Sequence, residues 1–247
     1  MNNISLNLME NSTIANEGDI YNREAIKANV LSLPNDLVIN ILASLSKSSH
    51  SDLLSAKSVC KALKELSDND FIYQIMSLKG IELVPWNKDK QQLLLLERCI
   101  QCHNSEAFYR QGMVNYFSDK GTQYGLEYLQ KAANYGHLGA LYVTGIISLF
   151  GDNESNKKGI EILNQNVLKG ILWKCRKEMI LFIFRLWINI PTIMNKVVVC
   201  CLNHEYTYQK KWRFTWPVDD GDDNVECKAC KCDRELDYLM PSLGIDR

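Results

Sequence analysis

The feature that most constrains this chain is an internal repeat of 33 to 34 residues. Alanine, tyrosine and glycine recur at matching positions along residues 107–170, and small residues of this kind let paired helices approach closely. The recurring pairs are Ala107 and Ala140, Tyr109 and Tyr142, Gly112 and Gly145, Gly125 and Gly159, and Gly136 and Gly170. A period in this range is typical of stacked helical hairpins. The repeat therefore predicts an all-α chain that contains a short α-solenoid.

The motif between Leu126 and Gly145 resembles the Sel-like branch of the tetratricopeptide superfamily. The resemblance covers one full repeat at 123–150, with a half-repeat at 106–117 before it and a decayed repeat at 157–170 after it. It implies a concave protein-binding face, and a role as spacer or core alone is the alternative.

A stack of this kind normally needs about three repeats, so flanking helices must complete the repeat region at 91–190. We expect capping helices at 93–102 and 173–187. The run 179–187 is apolar on nearly all sides, which predicts a buried helix.

A further helical pattern precedes the repeats and begins at Leu33 and Pro34. Pro34 suits the first position of a helix, since its missing N–H costs nothing there. Ser51 and Asp52 suit the cap of a second helix. Three successive helices are predicted, each with an apolar face. These faces are Leu37, Ile41 and Leu45, with Val38 and Leu42 beside them; Leu53, Ala56, Val59 and Leu63; and Phe71, Ile75 and Leu78. A unit of this size is too small to be stable alone, so its apolar surface must serve packing, a partner, or both.

Three short groups of residues in this unit, Leu33-Pro34, Ile41-Leu42 and Val59-Cys60-Lys61, resemble the F-box, which we place at 29–78. F-boxes dock onto the Skp-type adaptor of cullin-RING ubiquitin ligases, so the resemblance implies that adaptor, and through it a cullin, as partners. The adaptor contacts that it implies are Leu33, Pro34, Leu37, Ile41, Leu42, Leu45 and Val59. Ala62-Leu63-Lys64 stands where the family often carries a Trp or Arg. The alternative is a helical bundle that merely begins with Leu-Pro.

The C-terminal region 197–240 carries a candidate metal site. Cys201-x-x-His204 and Cys227-x-x-Cys230 have the spacing of two zinc knuckles, separated by 22 residues. Four such ligands would hold a structural zinc ion without an open position for chemistry. Cys200 and Cys232 are alternates, and a set of reduced thiols is the other interpretation. The pair Cys99-x-x-Cys102 has no second pair nearby, and Cys99 is predicted to lie in the core.

Composition and simple signals exclude several classes of function. The formal net charge of −1 gives no basic field for nucleic acid. Residues 1–20 lack the pattern of a signal peptide, and the most apolar window, 179–190, is 12 residues long and contains Arg185, which is too short and too polar to span a bilayer. The sequence contains no Gly-x-Gly-x-x-Gly, Gly-x-x-x-x-Gly-Lys-Ser/Thr, His-Glu-x-x-His or Gly-x-Ser-x-Gly motif. We expect residues 1–28 to be disordered, with a helical turn near 21–30, the segment 79–90 to be a linker, and the acidic run 219–223 to be a solvated loop or a contact for a basic partner.

These patterns predict an all-α protein: an N-terminal F-box three-helix unit, a short α-solenoid of helical hairpins, and a small Cys/His-rich C-terminal segment. The resemblances imply a plant-type substrate-recognition subunit of a Skp-cullin-F-box ubiquitin ligase, without catalysis of its own and located in the cytoplasm, the nucleus or both. The repeats or the tail would bind a target protein. A scaffold that binds through its repeats without ubiquitin transfer is the main alternative, and a metal or redox enzyme that uses the tail is a third.

Overall fold

The computed structural model describes residues 32–83, 90–118, 122–186, 199–204, 212–213, 216–217 and 227–243. The predicted disorder at 1–28, the helical turn near 21–30, most of the linker, the last residues of the repeat region and the acidic run 219–223 lie outside these residues.

The N-terminal unit (residues 32–83) consists of four helices: α1 (Asn35–Ser48), α2 (His50–Val59), α3 (Lys61–Leu66) and α4 (Asp70–Ile75). Pro34 is the cap residue before α1 and not its first helical residue. Ser49, instead of Ser51 and Asp52, caps α2, because its side chain accepts a hydrogen bond from the backbone N–H of Asp52. The predicted second helix divides at Cys60, where the backbone is extended, with φ −157° and ψ 163°.

The core of the N-terminal unit uses partly different residues from those that the pattern predicts. It contains Val38, Leu42 and Ala43 of α1, together with Leu53, Ile72, Tyr73, Met76 and Leu78. Phe71, which was expected on the buried face of α4, is 43% exposed, whereas its neighbour Ile72 is fully buried. The short α4 begins just after its cap Asn69, and the direction of that first turn is set by packing.

The repeat stack (residues 90–186) follows directly and shares the core of the N-terminal unit. Its elements are α5 (Lys90–Gln101), α6 (Ser105–Phe117), α7 (Thr122–Asn134), α8 (Leu138–Leu149), α9 (Asn153–Leu163), a 3₁₀ turn (Asn166–Leu168) and α10 (Leu172–Leu186). Asn104 joins the two parts, since its side-chain amide donates to the carbonyl oxygens of Tyr73 and Met76 at 2.8 and 2.9 Å while its oxygen caps α6.

Glycines fix the spacing of the two helical hairpins, α6–α7 and α8–α9. A Cβ atom on Gly112 would lie 2.8 Å from Cγ of Leu129, and one on Gly145 would lie 3.0 Å from Cγ of Leu163. Because the same close contact occurs once in each hairpin, the predicted repeat of helical hairpins is confirmed.

Helix α10 corrects one prediction. Its side chains Met179, Phe182 and Ile183 are buried, but Leu181 is 41% and Phe184 is 59% exposed. The expectation of a helix buried on all sides is therefore wrong, because only one face of α10 packs against the described part of the stack. At the other end of the stack, Cys99 is fully buried, as predicted.

The last helix, α11 (Lys228–Ser242), packs against α9 and α10. Its residues Cys232, Leu236, Leu239, Met240 and Leu243 belong to the same core as the repeats. A two-residue strand β1 (Trp212–Arg213) pairs antiparallel with β2 (Trp216–Pro217). No helix in the described ranges has the length and hydropathy needed to cross a membrane.

Candidate functional sites

An apolar strip lies on the outer face of α1. Leu37 is 49% and Ile41 is 52% exposed, although both are large aliphatic residues one helical turn apart. Val38 and Leu42, each one position further along, are 2% and 3% exposed and form the core. The helix is therefore apolar on two sides, and only one side is used for folding within the described residues.

The other residues predicted to contact the adaptor fall into three groups. Pro34 and Val59 are exposed, and Leu33 and Leu45 are half-buried. Leu42 corrects the prediction, because its side chain is 3% exposed and packs in the core of the N-terminal unit, where a partner could not contact it.

Sequence reasoning missed two further exposed apolar side chains on the N-terminal unit, Leu54 at 53% and Phe71 at 43%. Phe71 is the second residue of a short helix that is capped by Asn69, and this position is the sequence signal that could have indicated its exposure.

A second candidate site is formed by Cys201, His204, Cys227 and Cys230. One ligand atom from each residue lies within 4.8 Å of the other three. Two sulfurs bound to one tetrahedral zinc ion stand about 3.8 Å apart, and the Sγ atoms of Cys201 and Cys227 are 3.9 Å apart. Nδ1 of His204 is 3.2 Å from Sγ of Cys201 and 3.6 Å from Sγ of Cys230. The four predicted residues are thus brought together in a geometry that could hold a metal ion.

Neither predicted alternate belongs to this group of four. Cys232 is 1% exposed and belongs to the core of the repeats, where its Sγ lies 3.6 Å from the side-chain amide nitrogen of Asn164. Cys200 contributes its backbone instead of its thiol: the N–H groups of Cys200 and Cys201 donate to the two carboxylate oxygens of Asp233 at 2.8 and 2.9 Å. Asp233 therefore clamps the first ligand pair onto α11, in the manner of the outer groups that orient metal ligands.

The electrostatics of the group lower the pKa of two of its three cysteines and raise the pKa of the third. The backbone N–H of Asn203 and the neighbouring His204 lower the pKa of Cys201 to about 6. The backbone N–H of Cys230, at the start of α11, lowers the pKa of Cys227. Burial and the two adjacent sulfurs raise the pKa of Cys230 to about 12. A cation that bound here would bind thiolates and displace their protons.

A buried ionic network attaches α11 to the stack, and no sequence pattern indicated it. Arg176 of α10 donates to both carboxylate oxygens of Glu235, with Nε–Oε1 at 2.7 Å and Nη2–Oε2 at 2.8 Å. The hydroxyl of Tyr142 on α8 donates to Oε1 of the same carboxylate at 2.6 Å. This network fixes α11, which contains Cys230 and begins directly after its cap residue Cys227.

Comparisons with known proteins agree with this architecture. The F-box-like family model matches residues 30–79, and the model for plant tetratrico peptide repeats matches residues 79–183. An Arabidopsis thaliana protein described as an F-box protein is 34% identical over 155 residues, which make up 63% of this chain and 51% of the relative. A second F-box protein of the same species is 32% identical over 126 residues, or 50% of this chain and 33% of the relative. No solved structure matches.

The chain thus spans between a third and a half of the length of these relatives. The two family matches follow one another without a gap across residues 30–183, and they coincide with the N-terminal unit and the repeat stack. The predicted resemblance is confirmed: residues 30–79 are F-box-like, and plant tetratricopeptide repeats follow at residues 79–183.

Proposed function

We propose that this protein is the substrate-recognition subunit of a Skp-cullin-F-box ubiquitin ligase. The observation that carries the proposal is the outer strip of α1, where Leu37 and Ile41 are each about half exposed. The core of the N-terminal unit uses other residues of α1 and does not need these two side chains. Full burial of a Leu or Ile side chain is favourable by about 1.5–3 kcal/mol. Covering the exposed halves of these two side chains would therefore contribute about 2 kcal/mol to docking on a Skp-type adaptor.

In this assembly the protein performs no chemistry. The repeats and the tail hold a target protein, and the adaptor and cullin place it near a ubiquitin-loaded conjugating enzyme. The rate increase comes from proximity, since a bound target lysine reacts in an effectively unimolecular step.

The test is complex formation with a purified Skp-type adaptor, followed by size-exclusion chromatography and calorimetry. The wild-type chain should form a one-to-one complex, and a Leu37→Asp/Ile41→Asp variant should lose it because charge replaces apolar surface. A matched control carries Tyr124→Asp/Val167→Asp, at residues that are 68% and 50% exposed on the repeat stack. A well-folded wild-type chain that does not bind the adaptor would refute the proposal.

A scaffold without ubiquitin transfer is the competing function, and adaptor binding alone does not separate the two. Proteins that co-purify with the wild-type chain from plant cells should accumulate when the Leu37→Asp/Ile41→Asp variant replaces it. Unchanged half-lives of those proteins would favour the scaffold.

The proposal includes one structural zinc ion held by Cys201, His204, Cys227 and Cys230. The set of three sulfurs and one imidazole nitrogen is a usual one for structural zinc and leaves no position for substrate. Metal analysis of the purified chain should give one zinc per molecule, and Cys227→Ser/Cys230→Ser should abolish it. Cys60→Ser, at a half-exposed cysteine outside the group, is the control. A metal-free wild-type chain with intact thiols would exclude the zinc site.

A further inference from the structure

A cleft of about 460 Å³ opens between the N-terminal unit and the repeat stack. One wall comes from the end of α1 and from residues 75–83, and the other comes from α6, His137 and α10. This volume lies within the range of protein ligand sites, about 300–1,000 Å³. Both walls are held in place, because Arg110 of α6 donates to the carbonyl oxygen of Ile81 at 3.0 Å and Asn104 donates to carbonyl oxygens at the end of α4. The cleft is therefore preformed, which lowers the cost of binding.

The charges around the cleft are unbalanced. Lys47, Lys79 and Arg185 line it, are exposed, and make no ion pair within the described part of the chain. Glu178 is the one described acidic side chain there without such a pair. This local excess of positive charge contrasts with the net charge of −1 for the whole chain.

Glu106 also lines the cleft, but its charge is already matched. Its carboxylate is 2.7 Å from Nε of Arg110 and 2.8 Å from Nε2 of His137. Burial alone would raise the pKa of Glu106, but the hydrogen bond from His137 and the charge of Arg110 lower it below its usual value. Glu106 therefore stays ionised and adds no free negative charge to the cleft.

The cleft also offers apolar contacts and one unsatisfied polar group. Leu181 is 41% exposed, and Ile75 and Leu83 are half-buried. Tyr109 lines the cleft at 5% exposure, and its buried hydroxyl has no hydrogen-bond partner. A buried hydroxyl without a partner is costly, and a ligand oxygen could remove that cost by accepting its hydrogen bond.

We propose that this cleft binds an extended peptide segment that carries acidic side chains next to one or two large apolar ones. The acidic groups would meet Lys47, Lys79 and Arg185, a carboxylate would accept from Tyr109, and the apolar side chains would contact Leu83 and Leu181. Nucleic acid fits this cleft less well, since the apolar lining and Glu178 disfavour a phosphate backbone. The inference rests on the proposed function only in identifying the segment as part of a ubiquitination target.

The test selects from a library of random nonapeptides on the immobilised full-length chain. The selected peptides should be enriched in acidic residues beside Leu or Phe, and their affinity can be measured by fluorescence anisotropy. Lys47→Glu/Arg185→Glu should weaken the selected peptide about 10-fold or more. Lys158→Glu, at an exposed lysine on α9 away from the cleft lining, should leave binding unchanged.

Tyr109→Phe removes a single oxygen and keeps the apolar body of the ring, so it should fold normally. Binding of the selected peptide should fall about 10-fold, as expected for a hydrogen bond to a charged group. Selection without acidic enrichment, or equal binding by the wild type and the Lys47→Glu/Arg185→Glu variant, would overturn the inference. Each variant is also assayed for adaptor binding. If the wild-type chain binds the adaptor but selects no acidic peptide, the inference about the cleft is wrong and the proposed ligase function stands. If it binds the peptide but not the adaptor, the proposed ligase function is wrong and the inference about the cleft stands.

Discussion

Replacement of Glu235 by Ala should destabilise the protein more than any comparable surface change. The side chains of Glu235 and Arg176 are 6% and 7% exposed, and two hydrogen bonds of 2.7 and 2.8 Å join them. Removal of one partner from a buried pair typically costs about 3–5 kcal/mol, because the remaining charge is left uncompensated. Glu235→Ala also leaves the buried hydroxyl of Tyr142 without its acceptor, so we expect a loss near the upper end of that range. Since domains are stable by about 5–15 kcal/mol, a third or more of the total would be lost.

The assay is urea unfolding followed by circular dichroism, with the free energy of unfolding obtained by linear extrapolation. Glu161→Ala, at an exposed carboxylate on the outside of α9, is the matched control and should change that energy by less than about 0.5 kcal/mol. Arg176→Met/Glu235→Leu removes both charges and should recover most of the loss, since apolar replacements of a buried pair are often neutral. A loss below about 1 kcal/mol for Glu235→Ala, or a double variant as unstable as the single one, would refute this reasoning.

Three further predictions follow from local geometry. Gly112→Ala places a Cβ 2.8 Å from Cγ of Leu129, and thermal unfolding should report a destabilisation of about 1–3 kcal/mol; an unchanged midpoint would contradict the close packing of α6 and α7. Ser49→Ala removes the side-chain oxygen that accepts from the N–H of Asp52, so the free energy of unfolding measured in urea should fall by about 1 kcal/mol. Ser49→Thr keeps a capping oxygen and should retain most of that free energy. The folded-state pKa of Glu106 is lowered, so its contribution to stability is complete above the unfolded pKa of about 4.3 and is lost as pH falls through the lower folded value. The free energy of unfolding in urea should therefore change less between about pH 6 and pH 3 for Glu106→Gln than for the wild type. The same pH dependence in both proteins would contradict the pairing of Glu106 with Arg110 and His137.

Periodicity was sufficient where the signal is local. The glycine, alanine and tyrosine positions of the repeat predicted two helical hairpins, and Gly112 and Gly145 make the expected close contacts. The spacing of the two Cys/His pairs likewise singled out the four residues that the fold brings together.

Periodicity failed where a helix has two apolar sides. On α1 it could not tell that Leu42 belongs to the core and that Leu37 and Ile41 lie outside. On α10 the apolar pattern predicted that Phe184 is buried, whereas the structure shows it exposed. An apolar side chain has the same pattern whether it packs against its own chain or remains available to a partner, so only the packing of neighbouring elements distinguishes the two.

The sequence by itself therefore determined the all-α architecture, the position of the F-box-like unit, the repeat and the four metal-ligand candidates. These depend on spacings within one helix or one turn, which short-range sterics and hydrogen bonding fix. The tertiary structure alone decided that α11 completes the core of the repeats, that Glu235 reaches Arg176 across 59 residues of sequence and Tyr142 across 93, and that a cleft opens between two helical units. Such contacts join residues far apart in the chain, and the geometry of the whole packed core selects them.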